Sequence, residues 1–332
     1  MILQLKPSAN SENIPELAAA HQAVFFKAAD AFTFVLPFAV KEVPPALEPF
    51  TDKSWATDSD IQLASKQYKS NVREVKWGTT VIGGNTNHTV MIAGPCSVES
   101  EEQLEVTADL LKETGISNMR AGAFKPRTSP YTFQGLGTEG LKLLAKMRDK
   151  YGFGIVTEVR DATQVDEIIE YADVVQIGAK SMYDHGILRK CGKAKKPILL
   201  KRGFGATLQE LVQCAEFILS GGNDQVMLCE RGIRTFETKT RFTLDLCGAS
   251  YLKQYTNLPV VLDPSHAMGY AYGVADLSRA CVAMGIDGLL VEVHPNPKAA
   301  KSDASQQLDH PQFRDLMKTL SPVAEAVGRK IV

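Results

Sequence analysis

From residue 88 onward the chain alternates short apolar runs with amphipathic helical segments, and this rhythm constrains the fold more than any other feature. The runs HTVMIAG (88–94), NMRAGAF (118–124), GIVTEV (154–159) and DVVQIGA (173–179) read as strands. So do PILLKRG (197–203), QVMLCERG (225–232), PVVLDPS (259–265) and GLLVEVHP (288–295). Between them lie segments such as EEQLEVTADLLKETG, TEGLKLLAKMRDKYG, DATQVDEIIEYA and TLQELVQCAEFILSGG, with apolar residues three and four apart; DHPQFRDLMKTL is the last. Buried-type strands alternating with helices pair in parallel through right-handed crossovers. Eight such units over about 240 residues predict a (β/α)₈ TIM barrel. An open doubly wound sheet is the alternative, but the turn after the first strand reads AGPCSVES, not G-x-G-x-x-G.

Before residue 88 the pattern is irregular. Residues 1–70 read as a β-α-β-β-α-β unit, a small ferredoxin-like α+β domain. Its strands are MILQLKP, AVFFKA, FTFVLPFAV and DIQLASK; its helices are SENIPELAAAHQ and the short PPALEPF. Residues 71–87 are expected to be a linker, with the barrel over 88–332. The 332 residues carry a formal net charge of -1, so no overall field draws the chain to nucleic acid or an anionic membrane. No apolar run approaches the ~20 residues needed to cross a bilayer. The opening MILQLKPSANSEN lacks a charged-then-apolar leader, so a cytoplasmic location is expected. The six cysteines have no framework spacing and read as reduced thiols, five of them in the core, with Cys96 set apart.

A TIM barrel carries its chemistry at the C-terminal ends of its strands. The first strand leads to Cys96; the second carries Arg120 and leads to Lys125, Arg127 and Thr128. The third to sixth carry Glu158, Lys180, Lys201 with Arg202, and Glu230 with Arg231. The last two carry Asp263 with His266, and Glu292 with His294; Asp303 follows. Seven cations on one rim of a nearly neutral chain call for small polyanionic substrates, because Arg binds phosphate and carboxylate bidentately and Lys binds as a point charge. Barrel closure makes strands one, seven and eight neighbours, so Cys96, His266, Glu292 and Asp303 can meet around a divalent ion of intermediate softness: zinc, manganese, iron or cobalt. By spacing alone, with no compact motif such as H-E-x-x-H, a buried thiol among unrelated polar residues is the favoured account.

The segments IAGPCSVES, RAGAFKPRTSPYTFQG, LLKRG, CERGIRTFE, LDPSHAMG and VEVHPNPKAAKSD together resemble the 3-deoxy-D-arabino-heptulosonate 7-phosphate (DAHP) synthases. The resemblance is to the subgroup whose barrel follows a ferredoxin-like domain. It covers residues 88–320, more weakly the N-terminal module. It implies condensation of phosphoenolpyruvate with erythrose 4-phosphate, the first step of the shikimate pathway to aromatic amino acids. It further implies that Cys96, His266, Glu292 and Asp303 are metal ligands and that Arg120, Lys125, Lys201 and Arg231 hold phosphoenolpyruvate. Arg127 and Thr128 would bind the aldose phosphate. Asp263 is expected among the substrate contacts, and Lys125, Cys96 and His266 among the catalytic residues, with Lys125 as proton donor to the developing alkoxide. Lys180 stands where relatives commonly carry Arg, which keeps the charge but loses the planar fork. Glu158 is a candidate for water handling or for pairing with a rim Arg, and His294 for packing beside the ligands.

The resemblance also implies an aromatic amino-acid effector at the N-terminal domain, or else an oligomerisation cap there, and a dimer or tetramer. The 3-deoxy-D-manno-octulosonate 8-phosphate synthases share the enol donor, but typically read Lys-Ala-Asn-Arg-Ser where this chain reads Lys125-Pro126-Arg127-Thr128-Ser129. Sialate-type synthases would not carry this segment. A non-catalytic regulatory barrel would show decay of a ligand or of this segment, and all are intact.

Overall fold

A computed structural model describes residues 1–9, 13–28, 30–125 and 129–332. The N-terminal unit runs β1 (Ile2–Leu5), α1 (Ile14–Ala20), β2 (Val24–Ala28), β3 (Ala31–Val35) and β4 (Thr51–Trp55), with a 3-10 turn at Glu48–Phe50. Its sheet order is β2-β3-β1-β4, antiparallel throughout, which is the strand order of a ferredoxin-like sheet. Met1, Leu3, Leu5, Ile14, Ala18, Phe34, Leu36 and Leu47 form its core.

Two elements here differ from the sequence reading. The closing strand is Thr51–Trp55, an exposed edge whose polar side chains hide its pattern, and DIQLASK (60–66) is not a strand. The amides of Gln62, Leu63 and Ala64 instead donate to the Glu216 carboxylate at 2.8, 3.1 and 2.7 Å, so none is left for a ladder. The expected second helix is only the 3-10 turn.

The stretch 71–87 is no bare linker. It holds a hairpin, β5 (Glu74–Trp77) and β6 (Thr80–Gly83). The eight strands that follow are β7 (His88–Gly94), β8 (Asn118–Arg120), β9 (Gly154–Val159), β10 (Val174–Ile177), β11 (Ile198–Lys201), β12 (Val226–Glu230), β13 (Val260–Leu262) and β14 (Gly288–Glu292). Each pairs in parallel with the next, and β14 returns to pair with β7, closing the barrel. A short β15 (Lys330–Ile331) also lies against β7. The hairpin plugs the N-terminal end: Trp77 and Ile82 join Val90, Ile92, Val156, Leu199, Met227 and Leu290 inside the barrel. Trp77 Nε1 and Thr80 Oγ1 both donate to Asn118 Oδ1, at 2.7 and 2.9 Å. Residue 154 is glycine for the same reason, since a Cβ there would lie 2.5 Å from the Trp77 ring.

Between and outside the strands run α2 (Glu101–Glu113), α3 (Thr138–Tyr151), α4 (Val165–Tyr171), α5 (His185–Lys193), α6 (Leu208–Leu219), α7 (Leu246–Tyr255), α8 (Pro264–Met268), α9 (Ala271–Ala283) and α10 (His310–Ala326). Their starts are encoded locally. Ser100 caps α2 through Gln103 N, and capping boxes at Thr207/Glu210 and Asp309/Gln312 open α6 and α10. The helices bury Leu104, Leu111, Leu141, Ile218, Phe313 and Leu320 against the outer faces of the strands. Of the five cysteines expected in the core, Cys191, Cys214, Cys229 and Cys281 are buried and Cys247 is exposed. Among the described residues no helix is long and apolar enough to cross a membrane.

Candidate active site

The strands deliver their C-terminal residues to one mouth. β7 ends at Gly94, where the backbone passes so close to β8 that a Cβ would lie 2.2 Å from the Arg120 carbonyl oxygen. Two residues later Cys96 is fully buried. Its Sγ faces Asp303 Oδ2 at 3.3 Å and accepts from Lys125 Nζ at 3.0 Å. Glu292 closes β14, fully buried, and takes Arg120 Nη1 at 2.5 Å on Oε1 and Gln306 Nε2 at 2.6 Å on Oε2. The donor atoms of Cys96, Glu292 and Asp303 lie within 4.8 Å of one another.

His266, in the short α8, stands at the edge of that cluster. Its Nε2 is 3.6 Å from Glu292 Oε1 and its Nδ1 2.7 Å from Asp263 Oδ2. Asp263 caps α8 by accepting from His266 N at 3.0 Å and takes Lys201 Nζ at 2.5 Å. A carboxylate on Nδ1 fixes the tautomer that leaves the Nε2 lone pair facing the cluster, as in metal-binding histidines.

Electrostatics follow from burial and these pairs. Burial, then the Glu292 charge, pushes the Cys96 thiol up to about 12. Burial also lowers His266, against the pull of Asp263. For Asp263 burial acts upward, but His266 and Lys201 outweigh it and hold the acid well below the usual range. Burial would likewise raise Glu292 and Asp303; in both, His266 and a nearby arginine prevail and both are lowered.

Above the cluster opens a cavity of about 490 Å³, lined by Lys125, Lys180, Lys201, Arg231, Arg234 and Arg241 with Glu158, Phe204 and Phe242. Arg231 lies 4.3 Å over the Phe242 ring and Arg234 4.6 Å over Phe204; the two rings stack at 5.6 Å. The rings hold the guanidinium planes in place at the cavity wall. Arg231 is buried and its Nε has no partner among the described residues. A cavity with this wall favours ligands with several negative charges.

The other expected site residues fall variously. Arg120 lies behind the cavity, between Pro95 O at 3.0 Å and Glu292. Asp263 is fully buried beneath it, its carboxylate committed to Lys201 and His266. Arg202 points away and pairs with Glu230 and Asp245 at 3.0 and 2.9 Å, so it is part of the frame. His294 accepts from Asn296 N at 3.0 Å on Nδ1 and turns Nε2 toward Glu99, 3.6 Å away. Arg127 and Thr128 lie outside the described residues. Sequence reasoning passed over Arg234, Arg241, Phe204 and Phe242. The short step from Arg231 to Arg234 within CERGIRTFE was the available signal.

A closed parallel barrel with a cation-walled mouth over buried thiol and carboxylate groups defines an enzyme for small, multiply anionic substrates. The chain belongs to the DAHP synthetase I family, whose model matches residues 60–328. Phospho-2-dehydro-3-deoxyheptonate aldolase of Thermotoga maritima is 44% identical over 81% of this chain and 79% of that protein. The crystal structure of the Thermotoga maritima protein of that name (DAHP synthase) covers 100% of this chain and 99% of its own, at 38% identity and a TM-score of 0.81. A 2-dehydro-3-deoxyphosphooctonate aldolase from Francisella tularensis is 31% identical over 74% of this chain and 94% of its own.

Proposed function

We propose that this enzyme condenses phosphoenolpyruvate with D-erythrose 4-phosphate and water to give DAHP and phosphate, the entry to aromatic amino-acid biosynthesis. The cation-walled cavity above Cys96, Glu292 and Asp303 carries the reading. Two polyanions repel each other, so Lys180, Lys201, Arg231 and Arg234 must hold them in near-attack geometry. C3 of the enol attacks the aldehyde carbon, and the aldehyde oxygen takes up a proton. Lys125 is the donor we assign: it is buried, lines the cavity and is held by Cys96 at the carbonyl oxygen and Sγ, 3.1 and 3.0 Å away. Water adds at C2, the C2–O bond breaks, and phosphate leaves. Glu158, on the cavity wall and held by Gln176 Nε2 at 2.5 Å, is placed to take the water proton.

The donor set fits a divalent ion: thiol, two carboxylates and an imidazole of the ligating tautomer suit Mn²⁺, Zn²⁺, Fe²⁺ or Co²⁺. Such an ion, held by Cys96, His266, Glu292 and Asp303, supplies Lewis-acid chemistry at a carbonyl oxygen.

We further infer a division into an N-terminal unit over about 1–70 and a barrel from 88, a cytoplasmic location and a symmetric dimer or tetramer. The N-terminal unit takes an aromatic amino acid as effector. A cavity of about 380 Å³ there, lined by Ile14, Leu17, Ala20 and Phe50 with Asn13 and Glu16, offers an apolar wall for the ring and a carboxylate for the ammonium.

The test is phosphoenolpyruvate consumption with erythrose 4-phosphate or arabinose 5-phosphate, with and without a chelator. Turnover with the four-carbon sugar, lost on chelation and restored by manganese, is expected. Preference for the five-carbon sugar would overturn the substrate, and chelator-resistant turnover the metal.

A further inference from the structure

Gln306 and Gln307 are both buried, in the loop that carries Asp303, and both reach the cluster. Gln307 Oε1 accepts from Cys96 N at 2.9 Å while its Nε2 donates to Ser302 O at 2.9 Å. Gln306 is a bridge: Nε2 donates to Glu292 Oε2 at 2.6 Å and Oε1 accepts from Arg241 Nη1 at 2.7 Å. The same Arg241 nitrogen donates to Asp303 Oδ1 at 3.2 Å. Asp303 needs such anchoring, because it sits at φ +44, a conformation costly for a residue with a side chain.

We propose that Gln306 and Arg241 are positioning residues that hold Glu292 and Asp303 in ligating geometry and tie the loop after β12 to the metal half-site. This rests on the metal reading above. Only an amide meets both demands at position 306: it accepts from a guanidinium on one side and donates to a carboxylate on the other. An apolar residue there would leave Arg241 and Glu292 each without that partner. Arg241 also lines the cavity and shares its loop with Arg231 and Arg234, so metal geometry and anion binding are joined through one side chain. Partners behind metal ligands typically contribute 10–100-fold in metal affinity.

The experiment titrates Co²⁺ into metal-stripped full-length protein. It follows thiolate-to-cobalt absorption, with affinity from competition with a chromophoric chelator. Gln306→Met and Arg241→Met are compared with Asn223→Leu, which removes a buried amide bonded to Cys191 O and Lys196 O at the N-terminal end of the barrel. Arg241 is partly exposed, so its variant tests the idea even if Gln306→Met does not fold. Expected is a loss of Co²⁺ affinity of about tenfold or more in both site variants and none in Asn223→Leu. Unchanged affinity in the site variants, or an equal loss in all three, would overturn the positioning role while leaving the metal site standing. No thiolate band in the parent protein would sink the metal reading and this proposal together.

Discussion

Lys125 is a buried ammonium whose hydrogen-bond partners among the described residues are both on Cys96. Burial, the largest influence, acts to discharge it, yet the Cys96 and Glu158 charges prevail and its pKa is raised. It therefore reaches the reaction protonated, as an acid must. Lys125→Met should lower kcat by about 10²–10⁴-fold, the usual worth of a positioned proton donor, with a smaller change in KM. A variant that raised KM alone would assign Lys125 to binding. Lys180 should behave the opposite way: as one of several cavity cations, Lys180→Met should raise KM for a phosphorylated substrate roughly tenfold, with kcat within a few-fold. Steady-state kinetics on both substrates read both variants. At this scale legibility was uneven. Barrel closure could bring Cys96 to Glu292 and Asp303, but spacing alone favoured a chance grouping, and only the resemblance to a known family made them a ligand set. Arg241 escaped because it sits in an irregular loop, where neither helical nor strand periodicity marks a facing side.

The elements of the barrel were plain in the sequence because every strand is buried on both sides, which writes continuous apolar runs. GIVTEV matches β9 residue for residue, whereas NMRAGAF shortens to three paired residues as the chain peels away toward Lys125. The β5–β6 hairpin was read as linker because its inward residues, Val75, Trp77 and Ile82, are few and widely spaced. Its weight is considerable even so. Trp77→Ala should cost about 3–5 kcal/mol, measured by denaturant unfolding, because it opens the barrel floor and leaves Asn118 short of a donor. Glu216 on α6 is the other hidden joint. Burial lifts its pKa from 4.5 to about 7 although three amides oppose it. The folded value lies above the unfolded one, so the folded state binds the extra proton. Glu216 thus contributes stability that is fully present below about pH 4.5 and is lost as pH rises to about 7. Amide exchange at 62–64 should quicken between about pH 4.5 and 7 beyond the intrinsic rate, and a flat protection profile would place the carboxylate's titration elsewhere.

At the scale of the whole molecule, the chain divides its stability between two cores. The N-terminal sheet packs Leu3, Leu5, Phe34 and Leu36 within itself, while the barrel shell takes from that unit chiefly Ile2, with Phe26, Val35 and Trp55 against it. The residues that seal the barrel, the Glu216-bound turn and the hairpin, lie after Asp60, which is also where the family match begins. A chain beginning at Asp60 should therefore fold and turn over both substrates, because every cation of the cavity and every member of the cluster is retained. It should lose any response to tyrosine or phenylalanine, because Ile14, Leu17 and Phe50 are gone. Inhibition of the full chain that disappears on truncation would tie the effector to the N-terminal unit through two-site coupling. Inhibition that survives would move the effector onto the barrel. Loss of turnover on truncation would mean that docking of Ile2 and Phe26 onto the barrel helices holds the mouth in working order, and the N-terminal unit would then be part of the catalytic frame.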